Sequence, residues 1–549
     1  MHPKLRGHQL LLISTLLVSI TFFNSCDPKH PFLGKAKPWS DSFSIKATCV
    51  FKPVDTNIKV FAPIAEHVRL AYQLGEYQPI WLVEKYIPNS ASGKLIDDLE
   101  DLQWDGFDTG KYNISFLKNL KTKLDTSHNN SLTDAFHFDT LLTHYYLAAA
   151  KDLLIGRISP KKADSLWYHS NDSSWDAPKL LATAKNDYPS LDDYRSKVPT
   201  YTLLRDEYKR FYALTSDSAF NETLTNVSQV KRPDSESLEL INTVIKTEMP
   251  WVTPVTNDSV SNQSQLIIAY QSYNGLRPTG KLDSATISNL SLAPDSILGK
   301  IALNMERIRW MQKDFGSLYL VVDIPLMELY LRKDGANLMH MRVVVGKNER
   351  QTPSLFAKMA NIVINPPWGV PPTIMKKEVL PGIEKSGKKY LAKKGFKAYD
   401  YKGKIVSPGS INKHNYNNYI YQQPPGDDNA LGYVKFNLPN KWDIYLHDTP
   451  HRGDFGRRDR ALSSGCIRLN KPQEMAVFIL SQLEKINFTQ GKLDTMIKTH
   501  RTRYEVLKNK IPVHITYLTA FEDSTGKHLQ YLRDVYHRDE KLLTLLSTK

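Results

Sequence analysis

A histidine and a cysteine that flank a charged loop are the residues of this chain whose types and spacing could do chemistry. His447 ends the apolar, strand-like run 444–446, and Cys466 follows 19 positions later, behind Ser464 and Gly465. A cysteine is a strong nucleophile only as a thiolate, so it needs a neighbouring base or a positive field. A cysteine with a distant histidine is the minimal sequence pattern for that arrangement. The pattern predicts nucleophilic catalysis by a thiol.

The residues around Cys466 suit acyl transfer. Gly465 has no side chain, which lets a carbonyl group approach the backbone, and the N–H groups of Gly465 and Cys466 could stabilise an oxyanion. His447 could take the thiol proton and return it to a leaving amine, and Asp448 is one possible acceptor for its other ring nitrogen. Arg468 would supply positive charge for the thiolate or for a substrate carboxylate. A lone histidine and cysteine in strands are usually core residues, but the flanking Gly, Ser and Arg favour catalysis.

Strands must position these residues. Apolar, β-branched runs are punctuated by Pro, Gly and Asp-Gly, and 333–335 is typical of a hairpin turn. A helix is predicted over about 472–483, and the last alternating run is predicted to pair back into the sheet. The pattern predicts a mainly β catalytic domain over 315–549. Its predicted strands are 319–325, 328–331, 340–346, 361–365, 433–436, 443–446 and 513–521.

The strand signal fades between residues 373 and 432. This segment is basic in its first half and rich in Tyr, Asn, Gln and Pro in its second half. An insertion of this length in a β domain is more often a lid or a binding loop than an unstructured connection. The sequence therefore predicts a capping insertion before His447.

Two helical regions precede the strands. Residues 67–237 have mostly helical periodicity, with Leu95, Leu99 and Leu102 in one apolar stripe, and predict a helical scaffold domain. Residues 238–295 predict a small helical domain. Within it, a helix over 266–276 ends at Gly275, and Asp283 caps a short helix over 284–290.

Composition and charge limit the partners. A chain of 549 residues predicts about three domains, and a net charge of +15 favours an anionic partner such as a membrane surface or an acidic wall polymer. We predict no nucleic-acid binding, because zinc-ligand spacing, a basic heptad helix and RNA-binding aromatic motifs are all missing from the sequence. Three cysteines are too few for a disulfide-stapled scaffold. No metal or other cofactor is predicted.

The N-terminus predicts export. Lys4 and Arg6 precede the apolar run 10–23, which has the length of a signal-peptide core, and Ser25-Cys26 follows. This resembles a bacterial lipoprotein signal over 1–26, with Cys26 as the lipidated residue and 27–66 as a tether. Cleavage by an ordinary signal peptidase and an uncleaved anchor are the alternatives.

The motifs carry a family resemblance. His447, eighteen intervening residues and then Ser464-Gly465-Cys466-Ile467-Arg468 resemble the YkuD-type L,D-transpeptidase catalytic domain, although Ser463-Ser464 stands where many members have Ser-His. The sequences His447-Asp448-Thr449-Pro450 and 365–373 resemble its large YcbB-like branch, which has a scaffold, a peptidoglycan-binding domain and a cap. The small domain resembles that peptidoglycan-binding domain through Gln271, Gly275-Leu276, Gly280, Asp283 and Thr286.

This resemblance implies a multidomain α+β protein of the periplasm, anchored in a membrane of a Gram-negative bacterium. It implies a Cys466 thioester with the third residue of a peptidoglycan tetrapeptide stem, resolved by an amine of another stem to give a 3→3 cross-link. It also implies acylation by carbapenems. The predicted substrate-binding residues are Arg468, Ser464, Tyr445 and Trp368. The alternatives are an L,D-carboxypeptidase or endopeptidase with the same residues and an inactive wall-binding lipoprotein.

Overall fold

The computed structural model describes residues 38–548, except for 55, 57–58, 128, 170–174, 185–186, 232, 253–258, 387 and 413. The predicted signal segment with Cys26 lies outside the described residues, as does the start of the tether. No helix in the described part of the chain has the length and apolarity of a membrane span.

The helices are numbered in chain order. The described residues form α1 (Pro38–Val50), α2 (Ile64–Leu74), α3 (Ser90–Asp101), α4 (Ile114–Thr126), α5 (Leu132–Ile155), α6 (Pro160–Ala163), α7 (Ala177–Thr183), α8 (Pro199–Thr215), α9 (Ser218–Ser228) and α10 (Ser235–Glu248). They continue with α11 (Ser259–Tyr273), α12 (Ser284–Leu290), α13 (Pro294–Arg309), α14 (Pro372–Ile374), α15 (Leu380–Ser386), α16 (Lys388–Lys393), α17 (Pro472–Phe478), α18 (Gln490–Lys498) and α19 (Asp539–Ser547).

The strands are numbered in the same way. They are β1 (Leu82–Val83), β2 (Ile87–Pro88), β3 (Trp167–Tyr168), β4 (Leu318–Asp323), β5 (Glu328–Lys333), β6 (Ala336–Gly346), β7 (Ser354–Ile364), β8 (Trp368–Gly369) and β9 (Lys397–Tyr399). They continue with β10 (Ile405–Val406), β11 (Ile420–Gln423), β12 (Val434–Asn437), β13 (Leu446–His447), β14 (Ala461–Ser463), β15 (Ile467–Leu469), β16 (Arg503–Thr516), β17 (Ala520–Glu522) and β18 (Leu529–Tyr531).

The chain divides into two units. The first unit comprises the residues up to 103 with 108–152 and 174–194, and the second comprises 104–107, 153–173 and everything from 195 onward. The first unit is helical, as predicted for the scaffold, and Leu95, Leu99 and Leu102 are fully buried. Helices α8 to α10, which the sequence places with the scaffold or the small domain, share one apolar core with the strands of the second unit.

Eight strands of the second unit form a closed ring. The order is β4-β5-β6-β15-β13-β12-β7-β16, and β16 pairs back to β4 in parallel. Strands β3 and β14 pair with β7 and β6 outside this ring. The mainly β catalytic domain, the hairpin turn at 333–335 and the return of the last long strand into the sheet are thereby confirmed.

Alternation along the strands fills the ring. Because successive side chains in a strand point to opposite faces, every second residue enters the core, and a one-residue slip would expose it. The interior side chains are completely buried, and they include Leu320, Val322, Leu329, Leu331, Val343, Val345, Ile362, Ile364, Val434, Phe436, Leu446, Ile467, Leu469, Val513 and Ile515. The intervening positions face away from the ring interior; some are apolar and also buried, such as Val321 and Val344, and others carry polar side chains, such as His447.

The predicted capping insertion folds as a small unit with its own sheet. Strands β8 to β11 pair in the order β10-β9-β11-β8, and the segment has a separate apolar core that includes Met375, Val379, Ile383 and Phe396. Although the strand signal fades over 373–432, this segment therefore contains strands. The three short strands within it have two to four residues each, too short for a period-two pattern to be recognised. We call residues 372–432 the cap.

The motif of the small helical domain is built around a buried glutamine. Gln271 is fully buried, and its Oε1 accepts hydrogen bonds from Thr279 N (2.7 Å) and Gly280 N (2.9 Å). Its Nε2 donates to Lys281 O (2.8 Å) and to Thr286 Oγ1 (2.9 Å). The Gln, Gly and Thr of the motif thus hold one turn together. The predicted helix N-cap at Asp283 is also confirmed, since its carboxylate accepts a hydrogen bond from the backbone N–H of Thr286.

Replacing this glutamine should loosen the small domain. In Gln271→Ala the N–H groups of Thr279 and Gly280 lose their acceptor inside the protein, which we expect to cost about 2–4 kcal/mol of local stability. Hydrogen–deuterium exchange of residues 270–286 measures this loss. Lys281→Ala, an exposed change in the same turn, is the matched control. Unchanged protection in Gln271→Ala would contradict the assignment.

Candidate active site

Two short parallel strands bring the candidate nucleophile and base together. In the pairing of β13 with β15, Leu446 lies beside Ile467 and His447 lies beside Arg468. Ile467 N also donates to the carbonyl oxygen of Tyr445 at 3.2 Å, which extends the pairing by one residue. Since Leu446 and Ile467 point into the barrel, their neighbours face outward. Tyr445, His447, Cys466 and Arg468 therefore share one outer face of the sheet.

His447 is held as a neutral imidazole. Its Nδ1 lies 2.5 Å from the carbonyl oxygen of Asp448, so the N–H is on Nδ1 and the lone pair is on Nε2. Burial lowers the pKa of His447 to about 3, and the nearby cations of Arg468 and Lys435 add to the shift. The imidazole is consequently unprotonated at neutral pH and able to accept a proton.

The orienting acceptor is thus the backbone of Asp448 and not its carboxylate. The two carboxylate oxygens of Asp448 accept from Thr449 N (2.7 Å) and Tyr433 N (2.9 Å), and one of them pairs with Arg452. Gly432 lies so close that an added Cβ would come within 2.4 Å of the Asp448 carboxyl carbon. The carboxylate therefore ties together the chain segments on either side of β12 and β13, and so fixes the carbonyl that orients His447.

Cys466 is a half-buried thiol. Burial raises its pKa above the ordinary value, while hydrogen bonds from the backbone and hydroxyl of Tyr445 and the charge of Lys435 act in the opposite direction. The thiol lies 3.6 Å from the carbonyl oxygen of Asp443. The thiol and the imidazole are therefore both neutral at neutral pH, so the thiol needs a base before it can act as a nucleophile.

Lys435 is a site residue that the sequence did not reveal. It lies directly opposite His447 in the antiparallel pairing of β12 with β13, and its Nζ is 4.0 Å from the centre of the Tyr445 ring. The alternation Val434-Lys435-Phe436 indicates that it faces outward. Which residue it faces depends on pairing between distant strands, and no local pattern carries that information.

A tight turn before Cys466 fixes the thiol's backbone. Gly465 has φ +120°, a conformation that favours glycine. Ser463 Oγ donates to the carbonyl oxygen of Cys466 (2.6 Å) and accepts from Gly465 N (3.1 Å). The predicted oxyanion donor at Gly465 therefore already has an acceptor in this structure. No hydrogen bond among the described residues uses the Cys466 N–H, which leaves it as the candidate donor.

A second layer of hydrogen bonds supports this turn, and the sequence did not reveal it either. Thr352 Oγ1 donates to the carbonyl oxygen of Gly465 at 2.8 Å and accepts from Gly346 N at 2.8 Å. The hydroxyl of Tyr536 donates to Gly346 O (2.5 Å) and accepts from Thr352 N (3.2 Å). A residue from the C-terminal segment thus fixes the turn that carries Cys466.

The remaining predicted residues surround this face. Trp368 lies near enough to the Tyr445 hydroxyl to lower its pKa against the larger, opposite effect of burial, and its ring lies 5.9 Å from that of Phe396 in the cap. Arg468 Nη1 pairs with Asp454 at 3.2 Å. Ser464 is exposed and accepts a hydrogen bond from Arg350 Nη1 at 2.8 Å.

Arg350 also reaches the cap. Its Nη2 lies 2.5 Å from Glu378 Oε1, so one guanidinium joins the rim of the candidate site to the cap. A cluster of three or more His, Cys, Asp or Glu that could hold a metal ion is missing from the described residues.

Comparison with known proteins places two parts of the chain in families. Residues 317–499 match the family model of the L,D-transpeptidase catalytic domain, YkuD, and residues 66–207 match that of the scaffold domain. The chain therefore carries an L,D-transpeptidase catalytic domain of the YkuD type over residues 317–499, preceded by a scaffold domain.

Individual proteins that resemble this chain are also named L,D-transpeptidases. A curated protein of Haemophilus influenzae named "Putative L,D-transpeptidase" is 32% identical over 300 residues, which cover 53% of this chain and 58% of that protein. Among solved structures, an L,D-transpeptidase from Mycobacterium smegmatis is 14% identical and covers 37% of this chain and 61% of its own, with a TM-score of 0.19. A cysteine-to-serine mutant of an Enterococcus faecium L,D-transpeptidase is 11% identical and covers 54% and 98%, also with a TM-score of 0.19.

Removing the cation beside the thiol should make Cys466 less reactive. Lys435 favours the thiolate, so Lys435→Met should raise the apparent pKa of Cys466 and slow its alkylation by iodoacetamide about tenfold at pH 8. The pH dependence of alkylation, followed by mass spectrometry, gives both values. The control is Lys510→Met, an exposed change on β16. Equal alkylation rates in the two variants would exclude an electrostatic role for Lys435.

Proposed function

We propose that this chain is a peptidoglycan L,D-transpeptidase that forms 3→3 cross-links through a thioester on Cys466. The observation that carries the proposal is the pairing of β13 with β15, which puts the Cys466 thiol and a His447 with its Nε2 lone pair available on one face. A neutral imidazole beside a neutral thiol is the arrangement that general-base activation of a nucleophile requires.

Acylation follows from these positions. The thiol proton passes to His447 Nε2 as sulfur attacks the carbonyl carbon of the third stem residue and a C–S bond forms. The Cys466 N–H is the donor proposed for the oxyanion. The C–N bond then breaks, and the imidazolium gives its proton to the amine of the terminal D-residue. Since Arg468 and Lys435 disfavour the imidazolium, it returns the proton readily.

Transfer is the same reaction with a second amine. A side-chain amine on a neighbouring stem attacks the thioester carbonyl, His447 accepts its excess proton, and the C–S bond breaks to return the thiol. The new amide joins the third residues of two stems. Water would give hydrolysis instead, so the lifetime of the thioester depends on how well the site excludes water. The cap, joined to the site through Trp368 and Arg350, suits that role.

The substrate and location are part of the same proposal. The net charge of +15 suits carboxylate-bearing stems on an anionic polymer, and the apolar N-terminal run with Cys26 suits a periplasmic enzyme held in a membrane by a lipid. The small helical domain would hold the wall polymer. Carbapenems, whose strained ring presents a carbonyl to the thiol, would be covalent inhibitors.

The direct test supplies disaccharide-tetrapeptides to the purified protein. Mass spectrometry should find dimers joined 3→3, together with free D-amino acid, and Cys466→Ala should form neither. Tripeptide product without dimers would identify an L,D-carboxypeptidase instead. An unreactive protein that takes up no carbapenem adduct at Cys466 would refute the thiol mechanism and leave a wall-binding role.

The pH profile tests the protonation states. If neutral His447 acts on a neutral thiol, the rate of acylation by a carbapenem should stay level from pH 5 to 8 and fall only toward pH 3, where the imidazole takes a proton. Stopped-flow absorbance at each pH gives the rate. His447→Gln should lower the level by 100-fold or more, as about 10²–10⁴ is typical for a general base. A midpoint near the ordinary histidine pKa would show that His447 titrates normally.

Loosening the cap should favour water. Glu378→Gln removes the charge that pairs with Arg350, so we expect the ratio of hydrolysis to cross-linking to rise about two- to fivefold, in line with about 0.5–1 kcal/mol for a partly exposed ion pair. Quantifying tripeptide and dimer in one reaction gives this ratio. Glu384→Gln, exposed on α15, is the matched control. An unchanged ratio would assign water exclusion to other cap residues.

A further inference from the structure

A cleft lies outside the face of the sheet that holds Cys466. It has a volume of about 470 Å³ and is lined by residues 272–278 of the small helical domain, the turn 325–327, the loop 456–460 and the C-terminal segment 532–535. The turn 325–327 and the loop 456–460 lie within the matched catalytic domain, residues 317–499. The segments 272–278 and 532–535 lie outside it. The cleft therefore exists only where these parts of the second unit meet.

The cleft is strongly basic. Arg342, Arg457, Arg458, Arg460 and Arg533 line it, and the acidic side chain among them is Asp459. The Asp459 carboxylate already pairs with Arg533 at 2.6 Å. Among the ion pairs of the described residues, none involves Arg342, Arg458 or Arg460.

Hydrogen bonds to backbone carbonyl oxygens hold two of these arginines in place although like charges lie nearby. Arg458 Nη2 donates to the carbonyl oxygen of Gly275 at 2.5 Å, which holds the guanidinium against the small domain. There the positive charges of Arg533 and Arg277 lower the pKa of Arg458 in addition to the effect of burial. Buried Arg460 is held by the carbonyl oxygens of Val343 and Met327, each at 3.0 Å. Uncompensated cations fixed around a cavity are the arrangement that binds an anion.

The walls indicate what kind of anion fits. Leu276, Pro278, Met327 and Leu532 give the cleft an apolar surface beside the guanidinium groups. A volume of about 470 Å³ is far larger than a small inorganic ion needs and lies within the range of sites for small organic ligands. Planar guanidinium groups bind carboxylates with two parallel hydrogen bonds. The chemistry therefore matches a peptide that carries carboxylates together with small apolar side chains.

The cleft also shares a loop with the candidate active site. Asp454 pairs with Arg468 beside Cys466 at 3.2 Å and with Arg457 of the cleft at 3.5 Å. Arg460 O accepts from Val345 N at 3.0 Å, immediately before β14 and the turn that leads to Cys466. A ligand in the cleft would therefore contact the same loop that pairs with Arg468 and leads to Cys466.

We propose that this arginine-lined cleft is a second binding site for carboxylate-bearing stem peptides of peptidoglycan, separate from the face that holds Cys466. The choice of stem peptide rests on the proposed function. The site itself rests on the arginines, the cavity and its apolar walls. It would hold a stem of the polymer while another stem reacts, and so raise the local concentration of substrate.

Photo-crosslinking tests the site without any turnover. The full chain carrying Cys466→Ala is mixed with a disaccharide-tetrapeptide that bears a diazirine on its stem, and crosslinked peptides are mapped by mass spectrometry. We expect adducts within 271–278, 456–460 or 532–535. Arg342→Gln with Arg458→Gln should reduce them about tenfold, as for the loss of one or two charged hydrogen bonds, while Asp459→Asn should increase them. Arg503→Gln, exposed on β16, should leave them unchanged.

The outcomes separate this site from the proposed activity. Adducts confined to residues 433–450 and 463–470 near Cys466, or cleft adducts that persist in the double arginine variant, would overturn the second site even if wild-type protein forms 3→3 dimers. Complete loss of cleft adducts on adding inorganic phosphate, but not chloride of equal ionic strength, would overturn the carboxylate assignment in favour of phosphate. Cleft adducts with the expected variant pattern, in a protein that forms no dimers, would support the site and refute the activity.

Discussion

The candidate active site depends on one structural constraint, the parallel pairing of two strands of two and three residues. Leu446 and Ile467 have to enter the barrel core side by side, because both are apolar and have to be shielded from water. That requirement fixes the register, and the register puts an imidazole and a thiol on the outer face although they lie 19 positions apart in the chain. The geometry of the candidate active site therefore follows from core packing.

The electrostatics of the face follow from the same packing. Lys435 and Arg468 flank His447 because they occupy outward positions of the strands paired on either side of β13. Burial keeps the imidazole neutral and these two charges add to its effect, while Lys435 partly offsets the effect of burial on the thiol. One pair of cations thus adjusts base and nucleophile in the directions that a proton transfer between neutral partners needs. The hydrogen bonds of Ser463 and Thr352 then hold the backbone on which this transfer depends.

Local features of the fold could be predicted, while features that depend on long-range pairing could not. The sequence correctly indicated features that depend on a few neighbouring residues. They are the hairpin at 333–335, the helix N-cap at Asp283 and the presence of strands that lead to His447. The predicted strand over 443–446 was too long at its start, because Asp443 takes a positive φ of 52° and strand β13 comprises only Leu446 and His447. Lys435, Thr352 and Tyr536 lie far along the chain from Cys466, so no spacing rule could connect them with it.

The cap has its own apolar core, which bears on how a large polymer could bind and be released. Met375, Val379, Ile383 and Phe396 pack with one another in a core separate from that of the barrel, so loosening the cap need not disturb the barrel core. Its opening free energy is therefore a local quantity, set by a few contacts and independent of the global stability of the enzyme. Substitutions in the cap could change the residence time of a bound strand by orders of magnitude while the melting temperature of the whole protein stayed the same.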